Sequence, residues 1–149
     1  MEITFNQLPP SENKIRIIRV IRGRPGGMAY TKEATNYKKD FKAHVLKQYA
    51  AEVVNFAREH KYDSVYKVHI QLFFTKDQIV NKGWPNTKTY FKKMDVGNRR
   101  KLLEDCLAET LGIDDMFTFD LRMTKLSSLY DNPLVSISID RVDKKEYGL

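Results

Sequence analysis

The chain has 149 residues, a net charge of +7 and one cysteine, with 42% hydrophobic and 30% charged residues. Those figures fit one domain, spanning residues 1–149, with a modest core, and they exclude wholesale disorder, a disulfide framework and a multi-cysteine zinc site. No apolar run approaches the roughly 20 residues of a membrane span, and residues 1–10 lack the basic-then-apolar pattern of a secretory signal, so a cytoplasmic protein with no membrane partner is expected.

The elements follow in chain order. Met1 to Asn6 alternates loosely through Ile3 and Phe5 and predicts a short strand, broken by Leu8-Pro9-Pro10-Ser11. Ile15 to Ile21 is β-branched with interleaved arginine and predicts a strand with one basic face. Gly23 to Gly27 reads as a flexible tip, with a short strand over Met28 to Tyr30. Thr31 is a good N-cap, and Ala34, Tyr37, Phe41, Val45, Tyr49, Val53 and Phe56 follow at helical spacing, predicting one helix to about Glu59 with Lys38, Lys39 and Lys42 in solvent. Val65 to Phe74 alternates as a strand should. Thr75 to Met94 reads as a long polar loop, a length usually associated with function. Asn98 to Leu111 predicts a helix ended by Gly112. Phe117 to Thr124 and Leu134 to Arg141 predict two more strands, and Lys144 to Leu149 a polar tail. The order implies an α+β fold, with a small mixed or antiparallel sheet packed by two helices.

The charge is unevenly spread. Residues 12–24 carry +4, residues 76–101 carry +6, and residues 102–149 carry −5, so two short basic segments border an acidic one. A solvated charged surface accounts for either segment alone. Together they suggest a phosphate track beside a carboxylate site.

The chemistry-bearing stretch is Lys92 to Lys125. Asp95 stands just before a helix on which Asn98, Lys101 and Asp105 share one face, and Asp114-Asp115 lies where the chain turns into a strand. Clustered aspartates beside lysine and arginine suit a Mg²⁺-dependent phosphodiesterase: carboxylate oxygens hold the ion, and a lysine offsets charge on the phosphate. Structural alternatives stand beside each role. Asp95 serves equally as an N-cap, Lys101 and Asp105 as an ordinary i,i+4 pair, and Asp114-Asp115 as turn residues. His44, His60 and His69 have no metal-ligand spacing, and Cys106 falls on the apolar side of its helix. Trp84-Pro85 either stacks on a base or anchors its loop.

These residues in this order resemble the RusA-type Holliday-junction resolvases, endodeoxyribonucleases of phages and prophages. The resemblance rests on Pro9-Pro10-Ser11-Glu12-Asn13, then Tyr30-Thr31-Lys32 through Tyr37, then Asp95, Asn98, Lys101, Asp105, Leu107, Gly112, Asp114-Asp115, Asp120 and Lys125. It covers nearly the whole chain. It implies a homodimer that cuts opposed strands of a four-way DNA junction with Mg²⁺ or Mn²⁺ in a bacterial cell. Asp95, Lys101 and Asp115 are then catalytic, with Asp95 and Asp115 toward the metal, Asp114 as a substitute ligand, and Asn98 and Asp105 in support. Arg16, Arg19, Lys92, Lys93, Arg99 and Arg100 would contact the DNA backbone. The pattern's second aspartate is Gly97 here, which motivates a second expectation, a relative that binds branched or duplex DNA without cutting. A basic protein-interaction module is a third, and it predicts weak DNA affinity with little salt dependence.

Overall fold

A computed structural model of the chain describes residues 1–11, 14–94 and 96–149, with the backbone alone for Ile21 and Asn98. The described residues form six strands and four α-helices: β1 Glu2–Phe5, β2 Arg16–Ile21, β3 Arg24–Tyr30, α1 Lys32–Gln48, α2 Ala50–Glu59, β4 Val65–Phe74, α3 Lys76–Ile79, α4 Gly97–Leu111, β5 Thr118–Ser127 and β6 Leu134–Val142. Four strands form one mixed sheet in the order β1-β6-β4-β5, while β2 and β3 form a separate hairpin. The pair β4/β5 is parallel and the other two pairs of the sheet are antiparallel. A parallel pair needs a crossover between its strands, and the segment 75–117 with α4 supplies it.

The alternation in β4 fixes the layers. Val68, Ile70, Leu72 and Phe74 are buried, while Lys67, His69, Gln71 and Phe73 are half-buried on the other face. Ile3 and Phe5 of β1 and Val135, Ile137 and Ile139 of β6 extend the apolar face, and Ala34, Tyr37, Phe41 and Val45 of α1 with Leu102, Leu103, Cys106 and Leu107 of α4 cover it in one core. Burying a side chain the size of Phe41 or Leu103 is worth about 1.5–3 kcal/mol. Trimming one to alanine costs about 2–5 kcal/mol because a cavity is left.

Thr31 caps α1 as its type predicts, accepting the Ala34 amide through its hydroxyl at 3.1 Å. The predicted single helix is two. It breaks at Tyr49, whose hydroxyl accepts the Thr4 amide at 3.0 Å, while His44 Nε2 reaches the Thr4 carbonyl at 2.7 Å. One side chain of α1 and the one at the break thereby cover polar groups on an edge strand. The expectation of two helices is corrected accordingly, to two that share the first apolar stripe, the one-turn α3, and α4.

The hairpin also departs from expectation. Its turn is Arg22-Gly23, with φ of 50° and 75°, and Arg24 to Gly27 belong to β3 instead of forming a loose tip. Positive φ at two central residues matches the twist of tight hairpins, and Gly23 adopts it without strain. Nor is the basic face opposed by a buried one. Ile17, Ile18, Val20 and Met28 are all exposed, and a bulge between Ile18 and Val20 falls at Arg19.

The 75–94 segment is internally braced. Thr75 and Gln78 form a capping box around α3, Val80 bridges to Phe91, and the Asn81 side-chain amide donates to the carbonyls of Thr89 and Phe91 at 2.6 and 3.1 Å. The polar tail is tied down as well, with Lys144 to Tyr147 forming a 3-10 turn whose Lys144 pairs with Asp63 at 2.9 Å and whose Glu146 accepts from Lys67 at 2.8 Å. Among the described residues no helix is long and apolar enough to cross a membrane.

Candidate active site and nucleic-acid interface

The middle of α4 carries the polar centre. Leu102, Leu103, Cys106 and Leu107 turn one side of the helix into the core, which leaves Lys101 and Asp105 on the opposite side, one turn apart. Gly112 then closes the helix in the left-handed conformation, with φ of 73° and its amide on the Ala108 carbonyl. This turn returns the chain so that Asp114 and Asp115 precede β5 on the Lys101 side. Lys101 Nζ lies 3.4 Å from Asp105 Oδ1 and 3.7 Å from Asp115 Oδ2. The Asp105 charge, ahead of Asp115, holds the Lys101 ammonium above the usual lysine range.

Asp114 accepts the Met116 amide at 3.3 Å and caps the 3-10 turn at Asp115–Phe117. Its hydrogen bond with Asp115, then that with the Met116 amide, keeps its carboxyl below the usual range. Both carboxylates are exposed. Among the described residues no three His, Cys, Asp or Glu side chains converge as a metal cluster. Asp95 lies outside the described residues, as does the side chain of Asn98. The N-cap position of α4 is Val96.

Two partners of this centre escaped sequence reasoning. Tyr30, the last residue of β3, donates its hydroxyl to Asp105 Oδ2. Burial first, and then the Asp105 carboxylate, push the Tyr30 hydroxyl up to about 12, so it is a donor at neutral pH. Lys38, expected in solvent, has its side chain only 14% exposed. Its ammonium pairs with Glu109 of α4 and sits 4.7 Å above the Tyr30 ring. The correction has a simple cause: Lys38 adjoins Tyr37 at the margin of the buried stripe and faces α4. Arg16, paired with Tyr30 across the hairpin, lies over the same ring at 5.5 Å. The arginine hairpin therefore grows directly from the carboxylate–lysine centre.

The six expected backbone contacts divide. Arg16, Arg19, Lys93 and Arg100 are exposed, with Arg100 also 3.4 Å from Glu104. Lys92 is half-buried and donates to the Asp77 carbonyl inside the 75–94 segment. Arg99 is a correction. It is 8% exposed, donates to the Pro9 carbonyl at 3.1 Å and lies over the Phe74 ring at 5.2 Å, so it fastens the N-terminal segment to the core and is not an exposed cation. Its phase held the signal, since position 99 is three before Leu102 and four before Leu103, on the buried side of the helix.

The sequence profile described as endodeoxyribonuclease RusA matches residues 9–140 of the 149. The chain belongs to the RusA endodeoxyribonuclease family. A comparison with curated proteins finds no match.

Proposed function

We propose that this chain is a divalent-metal-dependent endodeoxyribonuclease that resolves four-way DNA junctions by paired nicks in opposed strands, acting as a homodimer of one-domain subunits. The observation that carries the reading is Lys101, placed within 3.7 Å of Asp105 and Asp115 at the root of the arginine hairpin, in a chain of the RusA family. A two-fold protein on a two-fold branched substrate would set two such sites at equivalent phosphates.

The donor set suits Mg²⁺ or Mn²⁺. Asp114 and Asp115 offer exposed carboxylate oxygens side by side, and Mg²⁺ is commonly held by one or two carboxylates together with substrate phosphate and water. Asp115, Asp114 and Asp95 would hold the ion, which when bound polarises the phosphate and lowers the pKa of attacking water. Lys101 would turn from its carboxylate partners toward the scissile phosphate and offset charge there. Asp105, held from the other side by the Tyr30 hydroxyl, positions Lys101 by limiting its rotamers. The exposed arginines of the hairpin, Arg16 and Arg19 first, would grip the flanking backbone, with Lys93 and Arg100 on the α4 side.

The test is cleavage of a synthetic four-way junction with Mg²⁺ or Mn²⁺, with linear duplex as competitor. Symmetric, metal-dependent nicks that the competitor does not suppress are expected. Tight junction binding without nicks under either metal would replace this reading with the second one, a binder that does not cut. Gly97 is the observation behind that alternative: it opens α4 one turn before Lys101, where the family pattern has a carboxylate.

A further inference from the structure

Apart from Lys93, the proposed chemistry leaves the 75–93 segment without a role, yet the segment is internally braced. A cleft of about 540 Å³ separates it from the end of β5. Val80, Tyr90, Phe91 and Leu126 make its apolar lining, and Lys76 and Lys125 stand at it. Its volume lies in the range of small-ligand sites. Tyr90 packs edge-on against Phe91 at 4.9 Å and against Trp84 at 5.6 Å, which makes a continuous aromatic cluster. All three rings face solvent, with 49% of Trp84, 39% of Tyr90 and 58% of Phe91 exposed.

Exposed aromatics in a mobile loop would mean little. These are held, because Asn81 binds the Thr89 and Phe91 carbonyls, the Asn81 amide donates to the Tyr90 carbonyl at 2.9 Å, and the Lys92 amide donates to Ile79 at 2.7 Å. The surroundings are predominantly positive. Lys76, Lys82, Lys88, Lys92 and Lys93 lie in the segment with Asp77 as its one acid, 3.8 Å from Lys82, and Lys125 faces it from β5. Exposed aromatic rings beside a cleft with lysine at its rim suit a polyanion that also presents flat apolar rings, which is DNA with unpaired bases. Paired bases offer no free face, so a closed duplex satisfies the lysines and leaves the rings unused.

We propose that this cleft binds an unpaired nucleobase of a DNA strand, stacked against the Tyr90–Phe91 pair, with Lys76 and Lys125 on the neighbouring phosphates. The proposal deepens the nuclease reading, and rests on it for the choice of DNA, by naming a strand with opened bases as what the chain recognises beside its cutting site. Trp84-Pro85 then serves the first of its two sequence alternatives indirectly, as the outer wall of a stacking platform.

Trp84 is the sole tryptophan and reports the site in the unaltered protein. A twelve-nucleotide oligothymidylate should quench its fluorescence, whereas a blunt duplex should leave it nearly unchanged. Phe91→Ala should weaken the oligothymidylate about ten- to a hundredfold, the usual loss for one stacked base, and leave duplex affinity within about twofold. The ring of Phe91 takes no part in the backbone bonds that brace the segment, so the variant keeps the loop. Unquenched Trp84 at saturating oligothymidylate overturns the proposal. So does a Phe91→Ala protein that binds the oligonucleotide like wild type. If that variant instead turns a dimer into a monomer in sedimentation at unchanged oligonucleotide affinity, the cleft is a subunit interface and the proposal fails. Quenching and Phe91 dependence in a protein that nicks no junction support the stacking site while removing the nuclease reading.

Discussion

The two basic stretches of the chain look alike in composition and have opposite fates. In the β2–β3 hairpin, Arg16, Arg19, Arg22 and Arg24 are exposed, and among the described residues no carboxylate lies within ion-pairing reach of them. In the stretch from Lys92 to Lys101, most cations are engaged by the protein: Lys92 by a carbonyl, Arg99 by Pro9 and Phe74, Arg100 by Glu104, Lys101 by Asp105 and Asp115, while Lys93 stays exposed. Unneutralised charge on a projecting ribbon is free to trade counterions for phosphates. Charge already paired adds little to a net field, but it sets geometry. The first stretch is suited to affinity and the second to architecture and chemistry, and substitutions should separate them.

The largest effect is expected in the paired region. Asp115→Asn keeps the shape of the side chain while removing a charge that faces Lys101. Junction nicking should fall by about 10²-fold or more, the scale seen when one electrostatic contact to a transition state is lost. Junction affinity should stay within about threefold. Single-turnover nicking and a binding titration on the same junction check both. Wild-type nicking in this variant would remove Asp115 from the site.

Next is Arg99, the cation whose neighbours are all structural. Arg99→Ala removes the bond to the Pro9 carbonyl and the packing on Phe74, and should cost about 2–3 kcal/mol of stability, read as a lower urea midpoint. The salt dependence of DNA binding should not change. Arg99→Met, which restores bulk without charge, should recover part of the midpoint. A flatter salt dependence at unchanged stability would place Arg99 on DNA after all.

How much of this could be read in advance follows the range of the interactions. β4 was legible to the residue, because alternation, regular from Tyr66 to Phe74, needs no distant partner. So were the Thr31 cap and the Gly112 stop, which are local backbone chemistry. The break at Tyr49 was not, since its apolar stripe continues in phase through Phe56 and the break is held by Thr4, 45 residues away. The site divides in the same way. Lys101 and Asp105 were visible as an i,i+4 pair, but Asp115 joins them only through the Gly112 turn, and Tyr30 reaches Asp105 across 75 residues. Net charge was the least reliable guide of all, because burial and pairing divide one basic run between exposed side chains and ones held by the protein.

The unpaired region should respond more gently and in a different currency. Replacing Arg16 and Arg19 together by alanine should weaken junction and duplex binding alike, since backbone contacts carry no base information. The slope of log affinity against log salt should fall by about 2, close to 0.9 for each lost phosphate contact. Nicking at saturating protein should hold within a few-fold. An unchanged slope would show that the hairpin's open charge meets no phosphate, and the contrast between the stretches would lose its functional meaning.

Gly97→Asp is the smallest change and sharpens the comparison from inside α4. The first turn of this helix has no acidic residue, although Arg99, Arg100 and Lys101 follow at once. Its N-terminal end carries the positive pole of the backbone dipoles, so an added carboxylate should stabilise the fold by about 0.3–1 kcal/mol, a slight rise in urea midpoint. The same carboxylate stands one turn before Lys101, on the side of the proposed metal ligands. In a chain that already cuts, it should lower the Mg²⁺ concentration needed for half-maximal nicking and leave the saturated rate within about threefold. Because Mg²⁺ is held by few protein oxygens and keeps several waters, one more ligand strengthens binding without creating a site that was absent. A saturated rate that rises from nothing would mean that the carboxylates at Asp114 and Asp115 do not suffice, and that glycine at position 97 has turned a nuclease scaffold into a binding protein.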